Sequence, residues 1–142
     1  MPDAGVSPQG KDNQLGALPS WDLRDLYPAP DSEALEADLS RCAEDAKSFR
    51  KRYEGKLAGL DGGTLGAVIS AYEEIQETLA RIGSYAQLLY SENMSDSGVA
   101  KFYQSMQERT TDISSETLFF TLEINRIDEA APIRIIRFAA PA

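Results

Sequence analysis

Glu73, Glu74 and Glu77 are the residues whose type and spacing come nearest to a chemical constellation. Glu73 and Glu77, four apart, share one face of a predicted helix. Inward-facing glutamates of this kind hold two metal ions in helical-bundle carboxylate proteins, but there Glu-x-x-His pairs complete the ligand set. This sequence contains no histidine, and its three glutamates flank the apolar stripe of their helix. They read as a solvated face. Arg50-Lys51-Arg52 falls near a predicted helix C-terminus, where cations complement the helix dipole without any ligand. Cys42 lies on an apolar stripe and reads as an inert buried thiol. Tyr53, Tyr72, Tyr85, Tyr90 and Tyr103 recur at helical spacing, which predicts core or half-core rings with hydroxyls at the rim. Tyr85 and Tyr90 fit the main stripe least well and are the two most apt to point elsewhere.

The missing residue types exclude more. Without imidazole there is no Ser-His-Asp triad, no Cys-His pair and no histidine general base. The usual catalytic zinc sites go with them. A single cysteine allows no intramolecular disulfide and no Cys-x-x-Cys. The 14 Lys+Arg against 23 Asp+Glu give a net charge of -9, which argues against a nucleic-acid partner. Asp61-Gly62-Gly63 follows no strand, so it reads as an inter-helix turn and not a phosphate loop. Met1 to Gly16 has neither the basic nor the apolar region of a secretory signal. No apolar run approaches the roughly 20 residues of a membrane span. With a lone cysteine, this predicts a cytoplasmic protein without membrane contact. The Asn93-Met94-Ser95 sequon is accordingly read as incidental.

The elements that must position these groups are helical. The composition is that of one globular domain at most. Residues 1–17 read as a disordered leader. Residues 18–30 set Trp21, Leu23, Leu26 and Tyr27 among Pro19, Pro28 and Pro30, which predicts an extended docking arm with room for one helical turn. The first helix, 31–58, is capped by Asp31 or Ser32 and carries Leu35, Leu39, Cys42, Ala46, Phe49, Tyr53 and Leu57 on one face. Its acidic residues lie early and its basic ones late.

The second helix, 64–92, keeps a heptad stripe from Leu65 through Val68, Tyr72, Ile75, Leu79, Ile82 and Ala86 to Leu89. Gly83 interrupts it, which reads as a close approach by a neighbouring helix or by the Trp21 arm, the functional alternative being a hinge. The third, 97–128, begins at Ser95-Asp96-Ser97 and runs through Val99, Tyr103, Met106, Thr110, Ile113, Thr117, Phe120, Ile124 and Ile127. Leu118, Phe119, Phe120 and Leu122 are apolar on more than one face, so two neighbours cannot cover them all. The expected fold is all-α: three long antiparallel helices with an extended N-terminal arm. The packing or interface residues are Trp21, Leu26, Tyr27, Tyr85, Leu118, Phe119 and Leu122.

Residues 129–142 are atypical, with two arginines and a run of isoleucines after a strongly acidic chain. They read either as a docked tail or edge strand, or as sequence out of its native frame.

Four stretches together resemble a known family. Leu18-Pro19-Ser20-Trp21-Asp22-Leu23-Arg24-Asp25-Leu26-Tyr27-Pro28 is similar to the opening of oligoendopeptidase F, one of the thimet-oligopeptidase-like zinc metallopeptidases. The likeness continues through Phe49-Arg50-Lys51-Arg52-Tyr53-Glu54-Gly55-Lys56-Leu57. It resumes at Ile82-Gly83-Ser84-Tyr85-Ala86-Gln87-Leu88-Leu89-Tyr90, with Ser95-Asp96, and ends near Phe119-Phe120-Thr121-Leu122-Glu123-Ile124-Asn125-Arg126-Ile127-Asp128. It spans residues 18–128.

The resemblance implies the N-terminal helices that wall the family's peptide channel, within an enzyme whose zinc-bound water hydrolyses short peptides. The family's His-Glu-x-x-His motif has no counterpart here, so no catalytic, metal-binding or cofactor-binding residue carries over. The chain alone is expected to be inactive and to bind no cofactor, zinc belonging to the full-length family. The likeness ends where the composition changes, which favours the out-of-frame reading of the tail. The alternative is a non-enzymatic helical interaction module, self-associating through an exposed apolar face.

Overall fold

A computed structural model of the protein describes residues 20–130. The predicted leader, residues 18 and 19 of the arm, and the tail beyond Ala130 lie outside the described residues. Three helices carry the fold: α1 (Glu33–Tyr53), α2 (Gly62–Glu92) and α3 (Ser97–Ala130). Among the described residues there is no strand, and the expected all-α class holds. The helices run up, down and up, and α1 and α3, which point the same way, pack against each other as well as against α2.

Each start has a local cause. Ser32 Oγ accepts the Leu35 amide at 3.4 Å, which settles the choice between Asp31 and Ser32. Asp61 accepts the Thr64 amide at 2.8 Å, so α2 begins at Gly62, two residues earlier than expected. Asp96 accepts the amides of Gly98 and Val99 at 2.7 and 3.1 Å and opens α3. α1 stops five residues short of the predicted 58. Gly55, at φ +77°, turns the chain through the left-handed region that glycine enters without strain. A 3₁₀ turn at Leu57–Gly59 comes next and still buries Leu57. α3 continues past the predicted 128 to Ala130.

The core forms along the predicted stripes, with Leu35, Leu39, Cys42, Ala46 and Phe49 of α1, Val68, Ile75, Leu79, Ile82 and Ala86 of α2, and Met106, Ile113 and Phe120 of α3, and it takes in Tyr85 and Phe119, which lie off those stripes. Thr117 is buried on the same stripe, accepts Gln76 Nε2 at 3.2 Å and donates to the Ser114 carbonyl at 3.0 Å.

The expectation for Gly83 fails. A Cβ built there meets nothing within 4 Å, so no close approach explains the glycine. Its neighbours leave a shallow recess beside Ala86, Met106 and Thr110. Gly83→Ala is therefore expected to raise stability by about 1 kcal/mol, because alanine is the better helix former and restricts the unfolded chain. A thermal melt should show this as a gain of roughly 2–4 °C for a domain of this size; a loss of stability would mean the site is tighter than it looks.

Candidate functional site

The strongest convergence of polar and aromatic groups lies where the arm crosses the bundle end made by the start of α1 and the end of α2. Asp22 caps a 3₁₀ turn at Leu23–Asp25 and grips Arg24 through two contacts of 2.8 Å. The hydrogen bonds from Arg24 hold the Asp22 carboxyl down at about 2. This turn swings Tyr27 inward. Its ring is only 2% exposed and meets Tyr85 of α2 edge-on, 5.4 Å between centroids. Its hydroxyl donates to Asp38 Oδ2 at 2.7 Å. Arg41 contacts the other Asp38 oxygen at 2.8 Å, and Arg81 of α2 lies 3.8 Å from Oδ2. Asp38 thus joins the arm, α1 and α2. Tyr85 also meets Phe102 of α3 edge-on, so one chain of rings links the arm to α2 and α3.

The predicted packing residues divide. Tyr27, Tyr85 and Phe119 are buried, and Leu26 is half-buried against the core. Trp21 is 61% exposed and is not packed into the core. Its backbone amide donates to Glu92 Oε1 at 2.8 Å. Tyr27, and not the larger indole, is the buried aromatic of the arm. Leu118 and Leu122 are 58% and 52% exposed, on the outer face of α3. Tyr85 does not point away from the core; the arm and Phe102 cover it. Tyr90 is half-buried and stacks on Tyr103, 4.9 Å apart with planes 8° from parallel.

Several ties carry no signal strong enough to be picked out from the sequence. Glu123 of α3 accepts the amides of Gly55 and Leu57 at 2.5 and 3.4 Å, closing the turn after α1. Arg109 and Glu36 form a two-pronged pair at 2.9 and 2.7 Å, and Arg50 reaches both Glu54 and Glu116. Apart from Arg50 and Glu54, these couple side chains far apart in sequence, so local spacing does not announce them. The Glu123 tie has one local hint, the Gly55 that the turn requires.

The chemistry open to these groups is narrow. A groove of about 540 Å³ between α1 and α2 has Cys42, Phe49 and Ile75 at its base, with Arg41, Arg52, Arg81, Asp45, Glu74 and Glu77 around it. Its charges are mixed, and the Asp45 carboxylate near the thiol disfavours the thiolate. Burial pushes the Cys42 thiol up to about 11, and its Sγ faces the Ile75 carbonyl at 3.7 Å. That environment keeps it protonated and unreactive. Glu73, Glu74 and Glu77 are exposed, as a solvated face requires. Among the described residues no group of His, Cys, Asp and Glu is assembled to hold a metal ion. The zinc implied by the resemblance does not fit the residues present, since a sequence without histidine cannot supply the family's ligands. No helix among the described residues is long and apolar enough to cross a membrane. Compared with known proteins, the chain matches no family profile, no curated protein and no solved structure.

Burial, then the hydrogen bond to Asp38, raises the Tyr27 phenol above its ordinary value of 10. Burial also raises Tyr85. Folding therefore tightens proton binding at both rings. The associated stability is intact below pH 10 and is lost as the pH rises above it. Denaturant melts should show stability falling above about pH 10. Tyr27→Phe should fall less steeply, while costing about 1 kcal/mol at neutral pH from the lost hydrogen bond. Identical pH slopes for the two proteins would remove Tyr27 as the source.

The single thiol gives a second measurement. Cys42 should resist an aromatic disulfide reagent in the native protein and react in full once the chain is unfolded by denaturant. Rapid native labelling would show that the groove opens to the thiol.

Proposed function

We propose that this chain is the N-terminal helical portion of an oligoendopeptidase F-like zinc metallopeptidase, a structural wall segment of a cytoplasmic enzyme that hydrolyses short peptides. One observation carries the reading. The four stretches that resemble the family are far apart in sequence, yet they meet in two pairs. Tyr27 of the first rests on Tyr85 of the third at 5.4 Å. Phe49 of the second lies 5.6 and 5.7 Å from Phe119 and Phe120 of the fourth, and Glu123 of the fourth closes the turn at Gly55 of the second. The residues that carry the resemblance are thus residues that join the elements, as expected if the likeness records a common scaffold.

The exposed Leu118 and Leu122 suit a wall segment too, because such a segment needs a face to pack against the remainder of an enzyme. The same face supports the second reading, a helical interaction module with no enzymatic parent.

The two readings part at the gene. The DNA beyond the codon for Ala142 should encode His-Glu-x-x-His in some frame if the peptidase reading is right, and its lack would leave the interaction module. At the protein level, the purified 142-residue chain should carry far less than one zinc per molecule and cleave no quenched-fluorescent peptide. Stoichiometric zinc with chelator-sensitive cleavage would overturn the wall-segment assignment.

A further inference from the structure

Residues 131–142 lie outside the described residues, but their composition and point of attachment bear on a surface that is described. Ile133, Ile135, Ile136 and Phe138 stand among Arg134 and Arg137, with no acidic residue. Covering one such apolar side chain fully is worth about 1.5–3 kcal/mol, so the stretch gains wherever apolar surface is in reach. It leaves α3 at Ala130, and Pro132 cannot extend that helix. Its 12 residues span at most about 40 Å. Reach then sorts the large apolar side chains that the described residues expose, which are Trp21, Ile69, Met94, Leu118 and Leu122. Trp21 and Met94 lie at the end of the bundle where α3 begins, about 50 Å from Ala130 along that helix. Leu122 and Leu118 are only about 12 and 18 Å back from Ala130. The Tyr72 hydroxyl meets Thr121 Oγ1 at 3.5 Å, which sets Ile69, three residues earlier on the antiparallel α2, about level with Asn125.

We propose that residues 131–142 fold back along α3 and cover Leu118, Leu122 and Ile69 over the outer α2–α3 groove. Ile133 to Phe138, extended, covers about 17 Å, close to the distance from Ala130 back to Leu118. Charge agrees with this path. Apart from Arg134 and Arg137 the chain sets 12 Lys+Arg against 23 Asp+Glu. Glu73, one turn beyond Ile69 on α2, and Glu129, on the leucine face of α3, are both exposed where the two arginines pass. Arg126 borders the path on the α1 side of Leu122. Attachment at Ala130 keeps the segment at an effective concentration on the order of millimolar, so a contact too small to hold a separate partner suffices.

A nitroxide on Ala139→Cys, with Cys42→Ala removing the native thiol, reads the path in the full 142-residue chain. It should broaden the amide NMR signals around Leu118 and Ile69 and spare those around Trp21 and Met94. The pattern should persist when the labelled protein is diluted into excess unlabelled chain. Ile135→Asp with Ile136→Asp should abolish the broadening, raise the binding of an apolar fluorescent dye severalfold and keep the wild-type circular dichroism. Even broadening of all exposed amides, broadening lost on dilution (a second copy as the occupant), or unchanged dye binding in the double aspartate variant would each overturn the proposal. None of these readouts depends on what lies downstream in the gene, so they stand or fall independently of the peptidase reading.

Discussion

The fold depends first on the aromatic junction at Phe49. Its ring lies 5.2 Å from Tyr53, 5.6 and 5.7 Å from Phe119 and Phe120, and 6.2 Å from Tyr72. Tyr72 and Phe120 stack on each other at 4.2 Å. All three helices converge on this one side chain. Each such aromatic pair is worth about 0.5–1.5 kcal/mol beyond the area it buries, and the rings cannot be satisfied separately. Fixing Phe49 also fixes the next stretch of chain. α1 ends four residues later, and the turn at Gly55 lies within reach of Glu123, one helical turn beyond Phe120 on α3. The reversal from α1 into α2 is thus held by the helix that comes last in the chain.

The other end of the bundle is closed by different means. There Tyr85 and Phe102 meet edge-on, and Tyr27 arrives from the arm to cover Tyr85. The hydroxyl that this ring brings into a buried place must be paired, and Asp38 pairs it. Arg41 and Arg81 set two positive charges beside that carboxylate. The arm is therefore part of the bundle's end cap. The exposed Trp21 is a consequence of the same geometry: once Tyr27 fills the available cavity, the indole six residues earlier has only the rim to lie on.

How much of this is legible in the sequence depends on the range of the forces involved. The three stripes are legible because helix periodicity is local: Leu35 to Phe49, Val68 to Ala86, and Met106 to Phe120 each repeat at steps of three and four. The caps at Ser32 and Asp96 are legible for the same reason. The end of α1 is not, because Leu57 continues the apolar spacing and is indeed buried, only from a 3₁₀ turn instead of a helix. The size of Trp21 points to burial, whereas the space available is set by three helices at once. Gly83 misleads likewise: a glycine in a stripe suggests contact, but only the packed neighbours reveal that the space beside it is open. Asp38, Glu92 and Glu123 have no spacing signature of their cross-element ties, since those partners lie elsewhere in the chain.

Those carboxylates explain the distribution of charge better than the net value does. Glu36, Asp38, Glu92, Glu116 and Glu123 each contact a different element from their own, four of them through arginines or backbone amides and Asp38 through a phenol as well. Exposed pairs of this sort add little stability individually. Their effect is directional. Because Glu116 and Glu123 must face α1 to reach Arg50 and the Gly55 turn, helical geometry forces Leu118 and Leu122, which lie between them, onto the opposite side. The uncharged surface around Leu118 and Leu122 is then the geometric complement of the ties of α3 to α1. An acidic chain that uses its carboxylates as internal braces leaves its least charged surface where the braces cannot point.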